Sequence, residues 1–250
     1  MKRISRIGGV SATHKASGGF TLLEMLISVA ILVTVTGAVF EQINAMQKKS
    51  SAEAMKLDMN QQAREFLDQT VRDLHMAGYP GASMYSTPPR LSQLAMGLVR
   101  VSPTEILLEG DVNNDGQVYS VDITYVASDP NDPNCPCIRR SAQPKWDADS
   151  FSQPTNPNYT ETQGVFSPGT GAGQSGEDLF AYYDQNGNAV PVGTGVDIRT
   201  PATTSTPAGT SIIAAIKTIK INLSLLNNQR DAGNNTFTRE SMSATARINY

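Results

Sequence analysis

From Phe20 to Phe40 the chain is apolar at every position except Thr21, Glu24, Ser28, Thr34, Thr36 and Gly37. At 1.5 Å per residue a helix over this run is about 30 Å long, the thickness of a bilayer's hydrocarbon core. The pattern predicts a spanning helix over residues 20–40. It then turns amphipathic without a break. Ala63, Phe66, Leu67, Thr70, Val71, Leu74 and Ala77 recur at steps of three and four, and Gln61, Gln62, Arg64, Glu65, Asp68, Gln69, Arg72 and Asp73 fill the positions between them. That is one apolar stripe on a polar helix. Gly78-Tyr79-Pro80-Gly81 stops it, because Gly accepts a left-handed terminal conformation and Pro cannot continue the ladder. The expected helix runs from Phe20 to Ala77, with residues 41–78 as its amphipathic half. A domain of this size cannot bury such a helix, so its first half must lie in membrane or among other subunits.

Beyond Leu98 the period changes to two. Leu98–Val101, Glu105–Leu108 and Val118–Val126 read as strands, the last with Tyr119, Val121, Ile123 and Tyr125 on one face and Ser120, Asp122 and Thr124 on the other, the solvent face. Leu179–Tyr183 and Ala189–Val192 read as a hairpin turning at Asn186-Gly187. Ile219, Ile221, Leu223 and Leu225 alternate in a late strand, and Met242, Ala244, Ala246, Ile248 and Tyr250 in another. These two should pair across a polar loop, Asn227–Glu240. Asp129–Gly176 and Thr194–Thr210 are rich in Pro, Gly, Asn, Ser and Thr and read as surface loops where partner contacts would vary. The expected class is α+β: an antiparallel sheet packed on the outer half of the helix, with residues 79–250 as one C-terminal β domain.

Charge changes the picture at the N-terminus. Residues 1–19 carry Lys2, Arg3, Arg6 and Lys15 and no acid, so this leader should stay cytoplasmic and the domain face outward. Without those four, 16 basic residues remain against 23 acidic ones, a net charge of −7, which argues against a general nucleic-acid surface. His14 lies in the leader, which leaves His75 as the one histidine of the rest, set in a helical pattern. A histidine-based hydrolase or a zinc site has almost nothing to build on, and no small-molecule substrate is indicated. Gly171-Ala172-Gly173-Gln174-Ser175-Gly176 spells G-x-G-x-x-G, but a strand pattern follows where a nucleotide fingerprint needs a helix. Trp146, the single tryptophan, sits in the first loop, where shielding a core edge is the commoner use.

Glu24 is the anomaly of the apolar run. A carboxylate there costs about 2.5–3.5 kcal/mol on insertion scales, so it needs a partner and a role. With basic residues upstream, Gly18-Gly19-Phe20-Thr21-Leu22-Leu23-Glu24 resembles the class III signal of type IV prepilins. The resemblance implies cleavage between Gly19 and Phe20 by prepilin peptidase, methylation of Phe20, and pairing of Glu24 with the free amine of a neighbouring subunit. The alternative is a secretory signal cut near Thr36-Gly37-Ala38, but the run is too long for a signal core and Glu24 interrupts it. The helix ending Arg72-Asp73-Leu74-His75-Met76-Ala77-Gly78-Tyr79 is similar to that of the first helix in PilW-type minor pilins. The resemblance therefore implies the type IV pilin fold and an inner-membrane protein with a single span. Its C-terminal domain would lie outside the cytoplasm, and its partners would be other pilins or pseudopilins. A minor pseudopilin at the J position of type II secretion is the nearest alternative.

Two constellations remain. Asp111, Asn113, Asp115 and Asp122 fall at positions 1, 3, 5 and 12 of a calcium-loop spacing, with Gly116 at 6, Gln117 at 7 and Val118 at 8. Position 12 is Asp where the bidentate Glu belongs, the flanks read as strands, and an Asn-Asn-Asp-Gly turn explains the same residues. Calcium is the one cofactor considered, and with it a calcium-dependent adhesin. Cys135-Pro136-Cys137 would lie in an oxidising compartment, where the pair could form a local staple, exchange thiols or stay unpaired.

Overall fold

The computed structural model describes residues 19–133, 135–146, 159–166, 177–203, 207–230 and 236–248. The chain divides into two units, residues 1–48 and 49–250. Helix α1 (Leu22–Met76) contributes to both. It starts two residues after the expected position and stops one before, a difference within the fraying of any helix end.

In the first unit every described residue is exposed, Phe20, Leu22, Ile31 and Phe40 among them. None of the apolar window that could cross a membrane is buried by the chain. The hydroxyls that follow Glu24 in the run find acceptors within the helix. Ser28 Oγ donates to Glu24 O at 2.8 Å, Thr34 Oγ1 to Ala30 O at 3.1 Å and Thr36 Oγ1 to Leu32 O at 2.7 Å. Hydroxyls returned to the preceding turn cost little in hydrocarbon.

In the second unit the stripe Met59, Ala63, Phe66, Leu67, Thr70 and Leu74 is buried against two antiparallel sheets, an α+β layout. The strands are β1 (Gly97–Val101), β2 (Glu105–Gly110), β3 (Tyr119–Val126), β4 (Cys137–Pro144), β5 (Tyr159–Gln163), β6 (Phe180–Tyr183), β7 (Val196–Asp197), β8 (Thr218–Arg230) and β9 (Phe237–Arg247). The larger sheet has the order β5-β4-β3-β2-β1-β7 and the smaller β6-β8-β9. A short helix, α2 (Gly209–Ala215), precedes β8 and buries Ile213. The helix end is locked to β2. Gly78, at φ 81°, donates its N–H to Glu109 O at 2.9 Å. Ala77 bridges Gly110, where any Cβ would run into Met76 O, so glycine is required.

Several expectations are corrected. The presumed loop 129–176 holds β4 and β5, and the presumed loop 194–210 holds β7 and the start of α2. The strands β8 and β9 extend into Asn227–Arg230 and Phe237–Glu240, shortening the loop between them. The turn at Asn186-Gly187 forms, with Gly187 at φ 82°, but Ala189–Val192 offers only the bridge Tyr183–Ala189, and β6 pairs with β8 instead. Asp73, placed by pattern on the polar side of the helix, is buried. The face of β3 expected in solvent is shielded: Ser120 is buried, Asp122 is half-buried, and Leu107 and Ser141, the cross-strand neighbours of Asp122, are buried. The G-x-G-x-x-G stretch and Tyr250 lie outside the described residues.

Candidate assembly site at the N-terminal helix

Gly18 lies outside the described residues, while Gly19 and Phe20 precede the first helical turn in exposed chain without regular secondary structure. Thr21 caps that turn: its Oγ1 accepts the Glu24 N–H at 3.3 Å and its carbonyl the Met25 N–H at 3.2 Å. Thr21-Leu22-Leu23-Glu24 thus has the spacing of a capping box, a signal legible in the sequence that the apolar pattern overshadowed. An acid in the first turn also meets the positive end of the helix dipole. Among the described residues no cation or donor side chain reaches the Glu24 carboxylate. In the uncut chain the Phe20 nitrogen is a peptide amide, and only cleavage makes it an amine.

The Asp111 loop is a tight turn with every carboxylate in use. Asp111 is buried, and its Oδ1 and Oδ2 accept the N–H groups of Asp115 and Gly116 at 3.0 and 2.9 Å. Asp115 accepts the Gln117 N–H at 2.9 Å and the Tyr119 hydroxyl at 2.7 Å. The tyrosine hydrogen bond, ahead of that backbone bond, holds the Asp115 carboxyl below the usual carboxylate range. Asn113 and Gln117 are exposed. Asp122 stands on β3 opposite Leu107 and Ser141 and accepts the Thr124 hydroxyl at 2.9 Å. Burial, and then the charge of Glu105, pushes its carboxyl up. Among the described residues the group of three or more acids, cysteines or histidines whose ligand atoms converge within 4.8 Å is Asp132, Cys135 and Cys137, so the carboxylates of Asp111, Asp115 and Asp122 do not converge to that distance.

Cys135 and Cys137 are joined in a disulfide, with Cα atoms 4.3 Å apart, so the sulfurs near Asp132 are not thiolate ligands. The loop before them is tied to the sheet by Arg139, whose Nη2 donates to Asp129 at 2.6 Å and to Asp132 at 3.3 Å. Thr160 of β5 donates to the same Asp132 carboxylate at 3.1 Å. Trp146 is 56% exposed and so shields little core. His75 is exposed on the last turn of α1.

Residues 14–40 match the family described as the prokaryotic N-terminal methylation motif. Neither a curated protein nor a solved structure gives a match. The motif supports a type IV pilin-like or pseudopilin-like protein, a class of structural subunits, and the uncovered apolar helix, long enough to cross a membrane, fits a membrane anchor. The α+β domain, with the amphipathic half of a long N-terminal helix packed on antiparallel sheets, fits the type IV pilin fold.

Proposed function

We propose that this chain is a minor type IV pilin of the PilW kind, a membrane-stored subunit that joins, initiates or caps a pilus. Prepilin peptidase cuts between Gly19 and Phe20, the new amine is methylated, and the helix leaves the bilayer to pack among those of other pilins. The observation that carries this reading is the apolar half of α1, wholly exposed, with a single acid in its first turn. A carboxylate and an amine facing each other in a low-dielectric helix bundle attract strongly, offset in part by desolvation of both. An axial shift of about one turn, 5.4 Å, between adjacent helices would set the Phe20 amine of one subunit against Glu24 of the next.

Glu24→Ala tests this. Cleavage and membrane insertion should continue, since both depend on the glycines and the apolar run. The subunit should be missing from sheared surface filaments, and pilus number should fall. Normal piliation with normal incorporation of the variant contradicts an assembly role for Glu24. Normal piliation with impaired protein secretion assigns the subunit to a type II secretion pseudopilus instead.

A further inference from the structure

Strand β9 ends the smaller sheet, and among the described residues no strand pairs with its far side. The ladder shows what that side presents. Asn222 N donates to Leu179 O at 2.8 Å and Leu226 N to Gly164 O at 2.7 Å, so these β8 residues turn their backbone groups away from β9. In an antiparallel ladder the residue opposite such a position also turns its N–H and C=O outward. Ser243 stands opposite Asn222 and Arg239 opposite Leu226, and Ser241, Thr245 and Arg247 share their phase. Among the described residues the open edge is therefore a row of backbone donors and acceptors without a strand partner from Arg239 to Arg247.

The usual protections of an edge are charge, proline or a bulge along its length. Here the irregularity of the β8–β9 pair falls between Leu226 and Arg230, beyond the row. Residues 240–246 hold no proline, and between Arg239 and Arg247 no charged side chain shares the outward phase of Ser241, Ser243 and Thr245. Those three and the flanking arginines are exposed, while Glu240, Met242 and Ala244 on the other face are half-buried. The guanidinium of Arg239 lies over the Phe166 ring, 4.1 Å from its centroid, which holds it in place. Lys220 adds a third cation to this face, with Glu177 at 3.3 Å. The face is thus basic on a chain whose balance outside the leader is acidic.

The charges also select the occupant. A second copy pairing antiparallel about Ser243 would set Arg239 against Arg247, and like charges directly opposite destabilise a ladder. We propose that β9 accepts, as an added strand, an extended segment of a different protein bearing acidic side chains eight residues apart, opposite Arg239 and Arg247. Backbone hydrogen bonds to the row supply affinity, and the two arginines supply register and choice of partner. This goes beyond the assembly reading, which rests on the helix; either can fail without the other.

The test uses the full chain in detergent micelles and two labelled strand peptides of alternating Thr and Val. One carries Glu at two same-face positions eight residues apart and the other Lys. The Glu peptide should bind about tenfold tighter than the Lys peptide. It should also slow amide exchange at Ser241, Ser243 and Thr245. Ser243→Pro removes an outward N–H and leaves the β8 bonds in place, so binding should be lost while the melting temperature holds. Arg239→Glu with Arg247→Glu should reverse the preference. Binding undiminished in Ser243→Pro, equal affinity for the two peptides, no binding of either at millimolar concentration, or dimerisation of the chain through β9 would each overturn the proposal.

Discussion

Arg140 Nε of β4 donates to Asp73 Oδ2 of α1 at 2.8 Å, joining the helix to the sheet across 67 positions of sequence. Gln69, one turn earlier, donates to the other Asp73 oxygen at 2.8 Å. Burial outweighs the pull of Arg140 and leaves the Asp73 carboxyl above its ordinary value. Such a pair fixes how the helix seats on the sheet more than it adds net stability. Arg140→Met alone should destabilise the domain by about 3–5 kcal/mol, because it strands a buried carboxylate. Asp73→Leu with Arg140→Met should recover most of that loss. Urea unfolding of the three proteins checks this; a double variant no more stable than the single one would show that the pair itself supplies the stability.

Asp197 gives the pH prediction. Its carboxyl is lowered to about 2, first by the Arg199 side chain, whose Nη2 lies 2.7 Å from Oδ2, with Arg100 at 3.5 Å adding a smaller pull. A carboxyl depressed in the folded state adds stability above its unfolded value, and that stability is lost as pH falls through the folded value. For Asp197 the window therefore runs from about pH 4 down to about 2. Carbon-detected NMR titration of this side chain should show the low midpoint, rising toward the model-peptide range in Arg199→Met. An unchanged midpoint in that variant would remove Arg199 as the cause.

The Asp111 turn separates a structural role from an ionic one. Asp111→Ala strips acceptors from two backbone N–H groups at a buried position and should cost about 1–3 kcal/mol. Millimolar calcium should leave the melting temperature of the wild-type chain unchanged, since the carboxylates of Asp111, Asp115 and Asp122 do not converge. A rise in melting temperature with calcium, abolished by Asp115→Ala, would instead establish a calcium loop, by the mass-action effect of a ligand on the native state.

The helix was legible because its signal is long and redundant. An unbroken apolar run and a stripe from Ala63 to Ala77 need no tertiary context, and both ends lie within two residues of the expected ones. The late strands were legible by alternation, and Ile219 to Leu225 indeed pair with Ala246 to Glu240. β4 was hidden because its helix-facing positions are Ile138, Arg140 and Ala142, and an arginine there reads as polar until Asp73 is seen opposite. The same contact hid Asp73. β5 and β7 are edge strands, with few apolar positions to alternate. Of the candidate residues, Glu24 stood out by chemistry alone. Asp122 was misread as solvent-facing because it lies between two buried cross-strand neighbours, Leu107 and Ser141, which periodicity within β3 alone cannot register.

The most direct measurement is the intact mass of the protein extracted from membranes of a prepilin-peptidase-competent cell, with a peptidase-deficient cell beside it. Cleavage after Gly19 gives a mature chain that begins at Phe20, carries one added methyl group and retains its whole apolar helix. The peptidase-deficient cell should yield the uncut, unmethylated chain. A mature N-terminus after Ala38, or the same processed mass in both cells, would contradict the prepilin reading and return the apolar run to an ordinary secretory signal.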